Sequence, residues 1–186
     1  GRLRRELPGL LPPGDLRMAL AALAAPTPMA QLWQRTYQHR FTGDGALAGH
    51  SVGNLLLAGL CQVTGDPVAA LDAAGQVLGA RGRVVPMACD PLTIVGQVSG
   101  LDDDPSTVTR IRGQVAVAAT PGQVLSVHLE PTDAKACPEA LDAVRDADLV
   151  VLGPGSWFTS VLPHLLVPEL REAIIETSAH RLVVLN

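Results

Sequence analysis

Apolar positions recur along the chain in three successive rhythms. In the first third they fall at helical spacing. Residues 10–14 read as a Pro/Gly turn, and residues 16–25 as a helix that Pro26 and Pro28 help to end. Asp15 stands just before that run, where its carboxylate can accept orphan backbone N–H groups, so it is predicted as the N-cap. Residues 31–40 read as a second helix, and residues 41–49, with Gly43, Asp44 and Gly45, as a loop. Ser51 is predicted to start a helix whose face holds Leu55, Leu56 and Gly59. Residues 66–78 place Val68, Leu71, Ala74 and Leu78 on one face of a fourth helix.

The middle third changes rhythm. Residues 84–88, 92–98, 110–118 and 123–129 are rich in Val and Ile and punctuated by Gly, Pro and Asp. They read as short strands with antiparallel pairing among them. Asp102, Asp103, Asp104 and Pro105 read as a solvated turn, because three consecutive carboxylates cannot all face one ion. The last third returns to an α/β alternation. Residues 138–146 are predicted helical, 149–152 a buried parallel strand, 169–178 a helix and 182–185 another buried strand. Residues 153–160 form the turn between, and 161–166 stay open between irregular and helical around Pro163. This order is that of doubly wound sheets, which bind ligands at the carboxyl ends of their strands.

Composition narrows the picture. The chain has 186 residues, 47% of them apolar, which suits one domain with a sizeable core. Aromatics are only 3%, so small residues must do the packing, and that favours helices on a sheet. The net charge is −4, with no basic stripe interleaved with aromatics, so no nucleic-acid partner is expected. Arg2, Arg4 and Arg5 form one basic cluster, open between a solvated face and an anion contact. Cys61, Cys89 and Cys137 lack a CxxC spacing and read as reduced thiols of a cytoplasmic protein. The five histidines lack zinc-ligand spacing. No apolar run is long enough to span a membrane. Both ends read as cut: the chain starts without Met and stops at the end of an apolar strand, so the single domain is expected to be incomplete.

Three segments carry candidate chemistry. Gly153, Pro154, Gly155 and Ser156 directly follow a predicted buried strand. Glycines there allow a tight turn and close approach of a ligand to the backbone. A helix starting after them would aim free N–H groups at an anion, and Ser156, Thr159 and Ser160 add hydroxyls. The pattern matches neither GxGxxG nor the P-loop, and an ordinary strand-to-helix turn stays open beside a phosphate cradle. Asp15 and Arg17 could hold a metal–phosphate or ribose hydroxyl and pair with phosphate, or could cap a helix and lie on the surface. His50, Ser51 and Asn54 are polar groups among small residues, suited to a ligand lying against backbone or to a capped helix start. No acid is tied to His50 by spacing, so no catalytic residue is assigned to Ser51 or Ser156.

Taken together, five ordered segments carry a resemblance: Gly1-Arg2-Leu3-Arg4, Pro12-Pro13-Gly14-Asp15-Leu16-Arg17, Gly49-His50-Ser51-Val52-Gly53-Asn54-Leu55, Leu129-Glu130-Pro131, and the run from Gly153-Pro154-Gly155-Ser156 through Val167. The chain resembles the YvcK-type gluconeogenesis factors, within the wider CofD-like family that includes 2-phospho-L-lactate transferase. The resemblance implies a Rossmann-like three-layer α/β/α fold, mainly parallel, with some antiparallel strands in the middle third. It implies a cytoplasmic regulatory protein that binds a UDP-sugar such as UDP-N-acetylglucosamine, with NAD-like ligands also considered. Such proteins serve growth on gluconeogenic carbon sources, cell shape and envelope (peptidoglycan) synthesis. Residues 153–160 then become a diphosphate-side loop, and Asp15, Arg17, His50, Ser51 and Asn54 pocket residues. No cofactor is implied. A divalent metal enters only under the alternative, a phosphotransferase like the sister branch. A homodimer and envelope-synthesis proteins stay open as partners. The family usually has Leu-Tyr where this chain has Trp157-Phe158, and Asn where His164 stands. The resemblance also implies a glycine-rich first strand and an acidic segment ahead of Gly1, and a further ligand-contacting region beyond Asn186.

Overall fold

The structure, a computed structural model, describes residues 3, 6–7, 9–102, 104 and 107–185. Gly1, Arg2, Arg4, Arg5, Asp103, Pro105 and Asn186, named above, lie outside the described residues. The chain forms two compact units, Gly1–Pro91 and Leu92–Asn186.

The first unit is helical. Its described residues include the helices α1 (Pro13–Ala22), α2 (Pro28–Gln38), α3 (Val52–Thr64) and α4 (Pro67–Val77). Three of them begin on a proline, whose fixed φ suits the first helical position and whose missing N–H costs nothing there. That is why α1 starts two residues before Asp15. Pro12, not Asp15, is the N-cap, and the Asp15 carboxylate sits in the first turn, near the positive end of the helix dipole. Thr27 caps α2 by accepting from the Ala30 N–H at 3.3 Å, and Asp66 caps α4 by accepting from Val68 at 2.8 Å. Gly65, at φ +68°, ends α3 in the left-handed region.

Leu20, Tyr37, Leu57, Leu71, Ala74 and Leu78 form the core of this unit. The α4 face is the one its spacing predicts. On α3 the buried side is Gly53, Leu57 and Ala58, whereas Leu56 of the expected face is 38% exposed. An all-apolar stretch such as 55–60 does not reveal its own facing. Residues 84–88 form no strand: Val84 packs against the helical core, and Pro86 has no N–H to give a sheet ladder.

The second unit holds the sheets. β1 (Thr93–Ser99), β2 (Val108–Arg112) and β3 (Gln123–Glu130) pair antiparallel in the order β2-β1-β3. The expected strand 110–118 breaks at Gly113, whose φ of +102° turns the chain out of β2 into α5 (Gln114–Ala118). α5 packs on β1 where Gly96 leaves room: a Cβ there would stand 3.2 Å from Val117. Next come α6 (Pro138–Arg145), β4 (Leu149–Leu152), a π turn (Trp157–Val161), α7 (Leu162–Leu166), α8 (Pro168–Glu176) and β5 (His180–Val183).

β4 and β5 pair parallel, Leu149 opposite His180 through Leu152 opposite Val183. The class is therefore α/β with both kinds of pairing, antiparallel in the middle third and parallel in the last. Among the described residues the parallel part is this one strand pair. The expectation that these two strands are buried does not hold: Leu149, Val151 and Leu182 are each about half exposed. Side chains alternate across a strand, and the face that carries Leu149 and Val151 is not covered by the described residues. Hydrogen bonds tie α8 to its surroundings. Glu169 accepts from the Ala136 N–H at 2.8 Å, Thr177 Oγ1 donates to the Val144 carbonyl at 3.0 Å, and Arg181 Nη1 donates to the Ile175 carbonyl at 2.7 Å. No described helix is long and apolar enough to cross a membrane.

Candidate functional site

The first unit brings Arg17, Ser51, Gly53 and Asn54 together where α1 meets the first turn of α3. Arg17 is not a surface residue. It is 5% exposed, and its Nε donates to Asn54 Oδ1 at 2.9 Å. Gly53 makes this packing fit: a Cβ there would lie 2.8 Å from Arg17 Cδ, Tyr37 Cδ1 and the Tyr37 carbonyl oxygen alike. Burial holds the Arg17 guanidinium below its ordinary pKa, helped by repulsion from Arg40 and opposed by Asp15. Ser51 is the N-cap residue of α3, as its position before the helix predicts, but its side chain makes no capping bond. It is fully buried and its Oγ has no partner, a state that costs about 1–3 kcal/mol for a buried hydroxyl.

Asp15 is exposed in the first turn of α1, and His50 is half-buried in the loop before Ser51. That loop is held by its backbone. Arg40 and Ser51 form an antiparallel bridge, Phe41 N–H donates to the His50 carbonyl, and Val52 N–H to that of His39. Tyr37 and Arg40 were not legible as part of this patch. Their place in it is set by the packing of α2 against α3, which no local pattern carries.

The second unit supplies a patch made of backbone. After β4 the chain turns at Gly153, φ +90°, where a Cβ would stand 2.6 Å from the Val184 carbonyl oxygen beyond β5. At Gly155 a Cβ would meet Ser160 Cβ at 2.9 Å. The π turn then opens on Ser156, whose carbonyl accepts from both Ser160 N at 2.8 Å and Val161 N at 3.2 Å. The N–H groups of Trp157, Phe158 and Thr159 precede those first bonds, so they have no acceptor within the helical run.

Ser156 and Ser160 are exposed, as is Pro154, whereas Thr159 is only 6% exposed. Its carbonyl receives Gln114 Nε2 at 3.5 Å, and Pro163, four residues on, has no N–H to return to it. Gln114 was missed because it sits within what reads as a strand. Trp157 is 46% exposed beside the loop. Among the described residues no group of three or more His, Cys, Asp or Glu side chains could hold a metal ion.

The family model described as 2-phospho-L-lactate transferase CofD matches residues 1–186. The chain belongs to the CofD family. Its relatives carry a more specific name. A Mycobacterium tuberculosis (strain ATCC 25618 / H37Rv) protein named "Putative gluconeogenesis factor" is 61% identical over all of this chain, which covers 54% of that relative. The "Gluconeogenesis factor" of Bacillus subtilis (strain 168) is 37% identical over the whole chain, which covers 55% of it. A crystal structure of a Bacillus halodurans protein matches this CofD-family chain with a TM-score of 0.88 at 40% identity, over 100% of this chain and 56% of that one. The chain thus spans about half the length of the curated relatives it matches.

Proposed function

We propose that this CofD-family chain is the ligand-binding core of a cytoplasmic gluconeogenesis factor. It binds a UDP-sugar, UDP-N-acetylglucosamine above all, and couples its level to growth on gluconeogenic carbon sources, cell shape and envelope synthesis. The observation that carries this reading is the loop after β4. Two glycines sit where a side chain would collide, and three successive N–H groups open a helical run. A diphosphate needs many donors and little bulk, which such a loop provides. Ser156 and Ser160 add exposed hydroxyls. In the same reading Asp15, Arg17, His50, Ser51 and Asn54 belong to recognition of a phosphorylated ligand. The names of the relatives support the link to gluconeogenesis.

Calorimetry of the full-length protein with UDP-N-acetylglucosamine tests the reading. Saturable heat is expected, and no heat at millimolar ligand contradicts it. The family description names a transferase, and this supports a second reading. In it the chain acts as a transferase on a phosphorylated small acid, and Asp15 would help to hold a divalent metal, which would supply positive charge to the leaving diphosphate. A turnover assay with nucleoside triphosphate, phospholactate and Mg²⁺ separates the two. The regulatory reading expects no product.

A further inference from the structure

An amide side chain presents an oxygen on one side and an NH₂ on the other, and which one faces a ligand decides what it can read. At Asn54 the choice is made by chemistry. The Arg17 guanidinium has donors and no acceptor, so the atom 2.9 Å from its Nε must be the Asn54 oxygen. The NH₂ therefore points away from Arg17. Asn54 is half-buried, and its amide nitrogen has no protein acceptor among the described residues. Nor is it sealed off: of the described buried side-chain atoms without a partner, Ser51 Oγ stands alone. Arg17 itself is too deeply packed, against Gly53 and Asn54, to reach a ligand.

We propose that Arg17 is a positioning residue that locks the Asn54 amide with its two N–H donors outward, so that Asn54 selects a phosphoryl oxygen on the ligand. This rests on the reading that the first-unit cluster recognises a phosphorylated ligand. The surroundings favour an anionic acceptor: Arg40, bridged to Ser51 through the backbone, adds a second positive charge beside Arg17, with Asp15 as the counterweight. A group that can offer only a hydrogen meets another N–H at the same spot and is rejected, since both then lose a partner.

Asn54→Asp tests this directly. The carboxylate keeps the shape and still accepts from Arg17, now as an ion pair, so the melting temperature stays or rises. The outward donors become a charged acceptor, so binding of both UDP-N-acetylglucosamine and inorganic pyrophosphate to the full-length protein weakens by about tenfold or more. A merely structural Asn54 leaves both affinities unchanged, and that result overturns the proposal. A second pair decides the matter even if that variant does not fold. Arg17→Lys keeps a donor on the Asn54 oxygen and holds affinity within about threefold, while Arg17→Met frees the amide to turn and loses about fivefold. Equal losses in the two overturn the proposal. A wild-type protein that binds neither probe overturns this inference and the reading beneath it together. Wild-type binding with an unaltered Asn54→Asp variant overturns the inference alone.

Discussion

In the helical unit the polar patch consists of side chains sunk among helices. Arg17, Asn54 and Ser51 are held in place because Gly53 lets Tyr37 and Arg17 pack without a gap. In the sheet unit the patch consists of backbone at the end of a strand. Gly153 and Gly155 shape it, and the opening N–H groups of the π turn line it. The first patch is part of a core, so a side chain forced into its packing at Gly53 shows as lost stability. The second stands at a turn, where damage shows as lost binding. Glycine serves both, in one case to bring side chains together and in the other to keep side chains away.

Gly53→Val strikes the first patch hardest. Its Cβ alone meets three atoms at 2.8 Å, one of them a backbone oxygen, and a loss of about 3 kcal/mol is expected in denaturant unfolding. A loss below about 0.5 kcal/mol shows that the side chains are not packed as described. Gly153→Ala lies between the two patches in kind. A positive φ and a backbone oxygen 2.6 Å away predict a cost of about 1–3 kcal/mol together with weaker ligand binding.

Gly155→Ala sharpens the contrast. Ser160 can yield to the new methyl, so stability changes by less than about 1 kcal/mol, while affinity for UDP-N-acetylglucosamine falls about fivefold as the loop narrows. The smallest effect belongs to a clamp outside both patches. The Ala136 N–H, then Lys135, hold the Glu169 carboxyl below its ordinary value of 4.5. A depressed folded pKa contributes stability above the unfolded value and loses it as pH falls through the folded one. Wild type is therefore expected to lose more stability than Glu169→Gln on acidification from pH 4.5 downward, with equal pH slopes as the contradicting result.

The same division governs what the sequence shows. Periodicity places α4 and its buried face, the alternation of the last third, and the antiparallel character of the middle. It misplaces helix starts wherever a proline reads as a break, as at Pro13 and Pro28. It also misses the break at Gly113, because an apolar run does not reveal a positive φ. The backbone patch is legible as Gly153 to Ser160, since glycines and hydroxyls after an apolar strand stand next to one another in the chain. The side-chain patch is legible only as separate polar residues. That Arg17 is buried, that Tyr37 packs at Gly53 beside it and that Asn54 turns its amide outward depend on contacts between residues far apart in the chain, 37 positions for Arg17 and Asn54, which no local pattern carries.

The central claim is that the backbone of the loop after β4 takes the diphosphate of a nucleotide-sugar. Amide-resolved NMR of the full-length protein during a titration with UDP-N-acetylglucosamine tests it most directly. The account predicts that the amides of Gly155, Ser156, Trp157, Phe158 and Thr159 shift most, and that their hydrogen exchange slows on binding. Saturable binding that leaves these five amides unmoved contradicts it.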